Sequence, residues 1–196
     1  MSYTEFSIEE IKNWLKDNLN QERYLHSIGT MEKAQQLAKE FSLDEEKAKI
    51  AGLLHDCAKC LPNDTLLDII QNKYKSYEPC ELLNPKTWHA PASAYIANTQ
   101  FKINDGEILS AIRWHTLGRV GMSDFEKIIY LADKIEEKTR EDECRSKICK
   151  VLYKHDNLDR ALLKCFKITI KSLMKRKLPI CHQAIDVYND LLTRIS

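Results

Sequence analysis

The sequence predicts an all-α protein made of one domain, and three observations carry that reading. Ser7-Ile8-Glu9-Glu10, Ser42-Leu43-Asp44-Glu45 and Ser123-Asp124-Phe125-Glu126 each have the form of a capping box ahead of apolar residues at helical spacing. Gly and Pro number only 5 each in 196 residues, few for a turn-rich β architecture. No stretch sustains the apolar–polar alternation of a half-buried strand, and no Asn-Gly or Asp-Gly hairpin lies between β-branched runs.

In chain order, the first capping box opens a helix that runs to about Asn18, and a second helix spans Glu22 to Phe41. The Ser42 box starts a third, which ends in the stretch "AGLLHDCAKC" (51–60). Pro62-Asn63-Asp64 breaks the chain and starts another. Residues 75–86, "KSYEPCELLNPK", read as an irregular connector. Helices follow at about 87–99, 105–115, 123–138, 142–153, 157–176 and 180–194. No linker, repeat or low-complexity segment divides residues 1–196, so one domain is expected, with the functional core at about 20–140 and the C-terminal helices, about 141–196, packed on it.

The 30 Lys+Arg against 29 Asp+Glu leave a formal net charge of +1. That balance argues against a nucleic-acid partner held by a broad basic field, although a small phosphorylated ligand needs only a few local cations. "LMKRKLP" (173–179) reads as cations at a helix C-terminus before a Pro stop. No apolar run approaches a membrane span, and the polar, acidic start "MSYTEFSIEE" has no basic-then-apolar pattern. The seven scattered Cys fit reduced thiols in a cytoplasmic protein, and Cys57 and Cys60, though spaced as CxxC, read as small packing residues. A homodimer is compatible with an all-α domain of this size.

Histidine placement carries the chemistry. His115 follows Ile108, Ala111 and Ile112 at seven, four and three residues, on an apolar helix face. His55 has Ala48, Ala51 and Gly52 at the same offsets, small residues that let another element approach closely. Asp133 lies on or beside the stripe of Phe125, Ile128, Ile129, Ala132 and Ile135. A carboxylate turned toward a core is costly unless paired or metal-bound, and Asp56 raises the same difficulty beside His55. With His26 and His89 these make four imidazoles and two carboxylates. That donor set suits Fe, Mn, Zn, Co or Ni rather than Ca or Mg, and it exceeds what one structural zinc uses. Two divalent transition ions sharing a carboxylate, with iron first among the candidates, match the count.

Five ordered blocks then resemble a known family: "RYLHSIG" (23–29), "LLHDCAKCLP" (53–62), "WHAPASAYIA" (88–97), "AIRWHTLGR" (111–119) and "KIIYLADKIE" (127–136). Together they are similar to the HD-domain metal-dependent phosphohydrolases, and within them to the YqeK-like family of bacterial symmetrical diadenosine tetraphosphate hydrolases. The resemblance runs from about residue 10 to the C-terminus. It implies that His26, His55, Asp56 and Asp133 hold one metal, and that Asp56 bridges to a second held by His89 and His115. Ala90, Leu117 and Glu137 stand where the family often has Gly, Thr and Pro; none is an implied ligand.

The implied chemistry is hydrolysis of a nucleotide substrate. A water shared by two metals has a lowered pKa, and the resulting hydroxide attacks a phosphorus in line, giving two ADP from diadenosine tetraphosphate. The polyanion also needs cations. Asp56, Lys59 and Arg23 are the expected catalytic set, with Arg23, Lys59, Arg113, Arg119 and Arg140 as substrate contacts and Lys134 nearby. Tyr24, Trp88, Tyr95, Trp114 and Tyr130 adjoin the blocks, mostly as packing residues. His155 and His182 have no neighbouring motif. Two other readings stay open: a phosphohydrolase acting on another nucleotide, such as a mono- or triphosphate or a guanosine alarmone, and a non-catalytic regulatory module of the same fold. A complete ligand set speaks against the module.

Overall fold

The computed structural model describes residues 3–74 and 77–195. Of the expected connector at 75–86, Lys75 and Ser76 lie outside the described residues. Among the described residues ten α-helices follow in order: α1 (Ile8–Asn18), α2 (Gln21–Glu40), α3 (Glu45–Leu54), α4 (Asn63–Asp68), α5 (His89–Thr99), α6 (Gly106–Trp114), α7 (Asp124–Ile135), α8 (Asp142–His155), α9 (Leu158–Lys175) and α10 (His182–Ile195). No strand occurs among the described residues. The all-α expectation holds, in one domain.

Caps set where the helices begin. Ser7 and Ser123 form complete capping boxes with Glu10 and Glu126, while Asn20, Asp44, Asp105 and Asn157 accept from backbone N–H groups in the first turns of α2, α3, α6 and α9. The Ser42 box resolves differently from the expectation: Asp44 is the cap of α3. α7 stops at Ile135, three residues before the expected end. Glu136 takes an extended backbone, and its carboxylate accepts from the N–H groups of Lys138 and Thr139, which fold back on it. The connector contains 3-10 turns at Pro79–Leu83 and Pro85–Thr87, and α4 runs into a π-helical turn at Ile69–Tyr74.

α7 is the central helix. Its residues from Phe125 to Asp133 are all buried, and α2, α3, α6, α8 and α9 pack around it. The aliphatic core of Ile11, Leu15, Leu37, Leu53, Leu54, Ile108, Ile112, Ile128 and Ile129 surrounds it. At about 25 cal/mol per Å² of apolar area removed from water, this burial is the main favourable contribution to folding. Gly52 lets α3 lie directly on α2. A Cβ there would sit 2.9 Å from the Thr30 carbonyl oxygen and 3.1 Å from Ala34 Cβ. That close approach brings the end of α3 beside the middle of α2. Ala58, Leu66, Ile69, Ile70, Trp88 and Ala92 form a smaller second core under α4 and α5.

Candidate metal centre

Five helices deliver the six side chains, two of them through their C-terminal ends. His26 sits inside α2 and Asp133 near the end of α7; His55 and His115 are the C-caps of α3 and α6; His89 opens α5; Asp56 follows His55. All six are buried. They converge in two groups that share Asp56: His26, His55 and Asp56, and Asp56, His89 and His115, with the ligand atoms of each group within 4.8 Å of one another.

Asp56 divides its oxygens between the groups. Oδ1 is 3.0 Å from His89 Nε2 and 3.3 Å from His115 Nε2, while Oδ2 is 3.8 Å from His55 Nε2 and 3.9 Å from His26 Nε2. Asp133 Oδ1 lies 2.9 Å from His26 Nε2 and 3.9 Å from His55 Nε2, completing the first group.

These donors fit a cation. His55 and His115 each direct Nδ1 at a backbone carbonyl, Gly52 O and Ile112 O, at 2.7 Å. A carbonyl only accepts, so Nδ1 carries the proton and Nε2 turns a lone pair inward. His26 Nε2 and His55 Nε2 then face each other at 3.2 Å, and His89 Nε2 and His115 Nε2 at 3.1 Å. Asp56 Oδ1 is buried without a hydrogen bond. Lone pairs and carboxylate oxygens packed this closely repel one another unless positive charge lies among them. Nitrogen and oxygen donors in this mixture suit a first-row transition ion or zinc.

The electrostatics agree. Burial pushes the His55 pKa down to about 3 and that of His89 to about 4, so both rings are neutral lone-pair donors at neutral pH. Burial opposes ionisation of Asp56, but its carboxyl is held well below the usual range, at a pH where the His89 and His55 rings are protonated and their charge outweighs burial. Asp133 is held low in the same way, by Lys134 and Arg140. Burial works against a charged His26, yet the carboxylates of Asp133 and Glu136 beside its two ring nitrogens raise its pKa above the ordinary value.

Four cations ring the cluster. Arg23 Nη1 lies 3.8 Å from Asp56 Oδ2 and Lys59 Nζ 3.7 Å from Asp56 Oδ1. Lys59 also lies 2.9 Å from His89 Nε2, and burial lowers its pKa. Arg140 bonds the Asp133 carboxylate and donates to the Asp133 carbonyl at 2.6 Å, and Lys134 Nζ is 2.5 Å from Asp133 Oδ2. A cleft of about 570 Å³ opens from this rim, lined by Arg23, Lys59, His89, Asn63, Asn84 and Lys86.

Two of the expected substrate cations stand apart from the six convergent side chains. Arg113 is buried in a two-pronged pair with Glu81, with its guanidinium 4.1 Å from the Trp114 ring centre. Arg119 bonds Glu126 at 2.8 Å and touches none of the six convergent side chains. Both lie within the "AIRWHTLGR" block in sequence, but Arg113, two residues before His115, leaves α6 in another direction, and Arg119 follows the end of that helix. Trp88 donates to the Glu81 carbonyl, and Tyr130 stacks on Phe166, so both are packing residues. The thiols differ too: Cys80 and Cys181 are joined as a disulfide, with Cα atoms 5.3 Å apart, and five cysteines are free. Cys57 is buried with its thiol pushed up to about 12, as a packing residue would be. His155 and His182 are exposed.

Glu136 and Glu81 were not singled out in the sequence. Glu136 belongs to the "LADKIE" block and could have been suspected there. Glu81 stands 32 residues from its partner Arg113, in a segment without periodicity, and carried no signal.

Residues 23–138 match the family model described as HD domain. The chain belongs to the HD-domain family. That family consists of metal-dependent phosphohydrolases, and the two His/Asp groups of this member could hold metal. The chain is 38% identical over 190 residues to a protein of Bacillus subtilis named bis(5'-nucleosyl)-tetraphosphatase, symmetrical, covering 94% of this chain and 97% of that one. A protein of the same name from Halalkalibacterium halodurans is 37% identical, over 91% and 93% of the two chains. A crystal structure from Clostridium acetobutylicum, described as a predicted HD superfamily hydrolase involved in NAD metabolism, superposes with a TM-score of 0.90 at 38% identity, over 96% of this chain and 98% of that one. No helix among the described residues of this HD-domain protein is long and apolar enough to cross a membrane.

Proposed function

We propose that the protein is a metal-dependent phosphohydrolase that cleaves diadenosine tetraphosphate symmetrically to two ADP. The observation that carries the reading is the division of Asp56 between two donor groups, one oxygen toward His89 and His115 and the other toward His26 and His55. The full-length likeness to two proteins named for this activity supports the substrate.

His26, His55, Asp56 and Asp133 would hold one ion, and Asp56, His89 and His115 a second, both transition metals with iron first. When bound, two such ions supply Lewis acidity at phosphoryl oxygens and a water of lowered pKa. The chain does the rest. Lys59 and Arg23, beside Asp56 at the cleft mouth, take the charge of the bridging phosphates. Arg140 and Lys134 hold Asp133 ionised and in place. The apolar packing behind the histidines keeps bulk water from the buried side of the cluster. A substrate of this kind is a small cytoplasmic metabolite, and the protein is assigned to that compartment with it.

The test is a nucleotide panel with metal-loaded protein. ADP as the sole product from diadenosine tetraphosphate is the expected result. ATP plus AMP would place the cut elsewhere, faster turnover of a mono- or triphosphate or a guanosine alarmone would change the substrate, and no turnover with any divalent ion would leave a binding module.

A further inference from the structure

We propose that Glu136 is a positioning residue: its carboxylate fixes the proton of His26 on Nδ1 and so aims the Nε2 lone pair into the metal centre. The inference rests on the metal-binding reading above and goes beyond it to a residue outside the ligand set.

The three histidines whose Nδ1 faces an acceptor oxygen solve one problem in two ways. His55 and His115 are helix C-caps. The carbonyls three residues back, Gly52 O and Ile112 O, belong to last turns, where helix carbonyls lack N–H partners. Those free carbonyls accept Nδ1–H at 2.7 Å. His26 has no such option. It lies six residues into the 20-residue α2, where every nearby carbonyl is already used by the helix ladder. Its acceptor must come from another element, and Glu136 Oε1 stands 3.1 Å from Nδ1.

Glu136 is built to accept and to stay still. It is 0% exposed. Oε2 takes the Lys138 N–H at 2.6 Å, and the Thr139 N–H lies 3.1 Å from each oxygen. The Thr139 hydroxyl donates to Oε1. Backbone donors cannot turn round, so both oxygens remain acceptors. Gly29, one turn after His26, leaves the space: a Cβ there would lie 2.3 Å from Glu136 Oε2 and 3.0 Å from its Cδ. Because Glu136 is tied at both oxygens, it could yield only by giving up these bonds.

Glu136→Gln separates positioning from packing. The backbone N–H groups will hold the amide oxygen, which turns the amide NH₂ toward His26. Nδ1 must then accept, and the proton moves to Nε2, where Asp133 Oδ1 at 2.9 Å receives it. The bond to His26 is remade and the Thr139 hydroxyl turns to accept, but Nε2 no longer offers a lone pair, and Arg140 Nη2, 3.2 Å from it, loses its acceptor. Partners that orient a ligand histidine typically cost 10–100-fold in metal affinity when changed. The full-length protein is therefore titrated with Zn²⁺ against a chromophoric chelator. We expect one of two equivalents to weaken by about 10- to 100-fold in Glu136→Gln, the other to be unchanged, and the melting temperature of the metal-free protein to stay close to wild type. Gly29→Ala should weaken the same equivalent. ¹⁵N NMR of the metal-free protein, at a pH where His26 is neutral, should show Nδ1–H in wild type and Nε2–H in Glu136→Gln. Wild-type His26 protonated on Nε2 would overturn the proposal without any variant. So would equal weakening of both equivalents with a fallen melting temperature, or unchanged binding in Glu136→Gln. A wild-type chain that bound no Zn²⁺ would instead defeat the metal-binding reading.

Discussion

Arg113 meets Glu81 in a closed fork: Nη1 lies 2.9 Å from Oε1 and Nη2 2.5 Å from Oε2, and neither side chain reaches solvent. The pair ties α6 to the turn at Pro79–Leu83, and the Glu81 carbonyl also holds the Trp88 indole. Removing one partner of a buried pair leaves an uncompensated charge, at a cost of about 3–5 kcal/mol. Arg113→Ala should lose stability of that order in a urea titration while the protein that remains folded keeps its KM. A raised KM with unchanged stability would return Arg113 to the substrate contacts.

Asp56 serves both donor groups, so its loss should be felt in both. Asp56→Ala is expected to bind fewer than two metal equivalents and to lose more than about 100-fold in turnover, since even residues that merely orient a ligand cost 10–100-fold. Metal analysis alongside initial rates decides it. Full activity in Asp56→Ala would rule out a shared carboxylate.

Lys59 stands at the cleft mouth, 3.7 Å from Asp56 Oδ1. A lost charge-assisted contact is worth roughly 1.5–3 kcal/mol. Lys59→Ala should therefore lower kcat/KM by about 10- to 100-fold at unchanged metal content. If metal content falls and the kinetics per bound metal do not, Lys59 supports His89 rather than phosphate.

The metal-free protein should weaken in acid. His55 at about 3 and His89 at about 4 lie below the 6.5 of an exposed ring. As pH falls below 6.5 the unfolded chain takes up protons that the folded one refuses, so stability drops down to about pH 4. Glu136, at about 2 against an ordinary 4.5, adds stability above 4.5 that is lost as pH falls toward 2. His26 runs the other way: its raised pKa contributes stability below 6.5 that is lost as pH rises through the folded value. Two histidines against one set the sign. In chelator, the melting temperature should fall between pH 6.5 and 4; a rise over that window would mean that the two rings are not buried neutral.

Much of the site was legible because it rides on helices. Period and capping place His115 and His55 on apolar faces, and Asp56 and Asp133 where carboxylates are costly, so six residues could be grouped before any contact was known. Boundaries were legible only where caps are local: Ser7 and Ser123 start their helices as expected, but α7 ends early because Glu136 accepts from a turn that exists only once the chain folds back. The arginines show the limit most clearly. Arg23, Arg113, Arg119 and Arg140 all flank ligand blocks, and adjacency in sequence does not say which way a helix turns its side chains.

By itself, then, the sequence determined the helical class and marked six candidate donor side chains, because these follow from residue type and spacing along single helices, and its five ordered blocks resembled the family to which the chain belongs. Only the tertiary structure decided that Asp56 divides its oxygens between two groups, that Glu81 claims Arg113, and that Glu136 stands behind His26 in the space left at Gly29. Each of those is a contact between groups far apart in the chain. Such contacts depend on how closely two backbones approach, and that distance is written in the packing rather than in any local pattern.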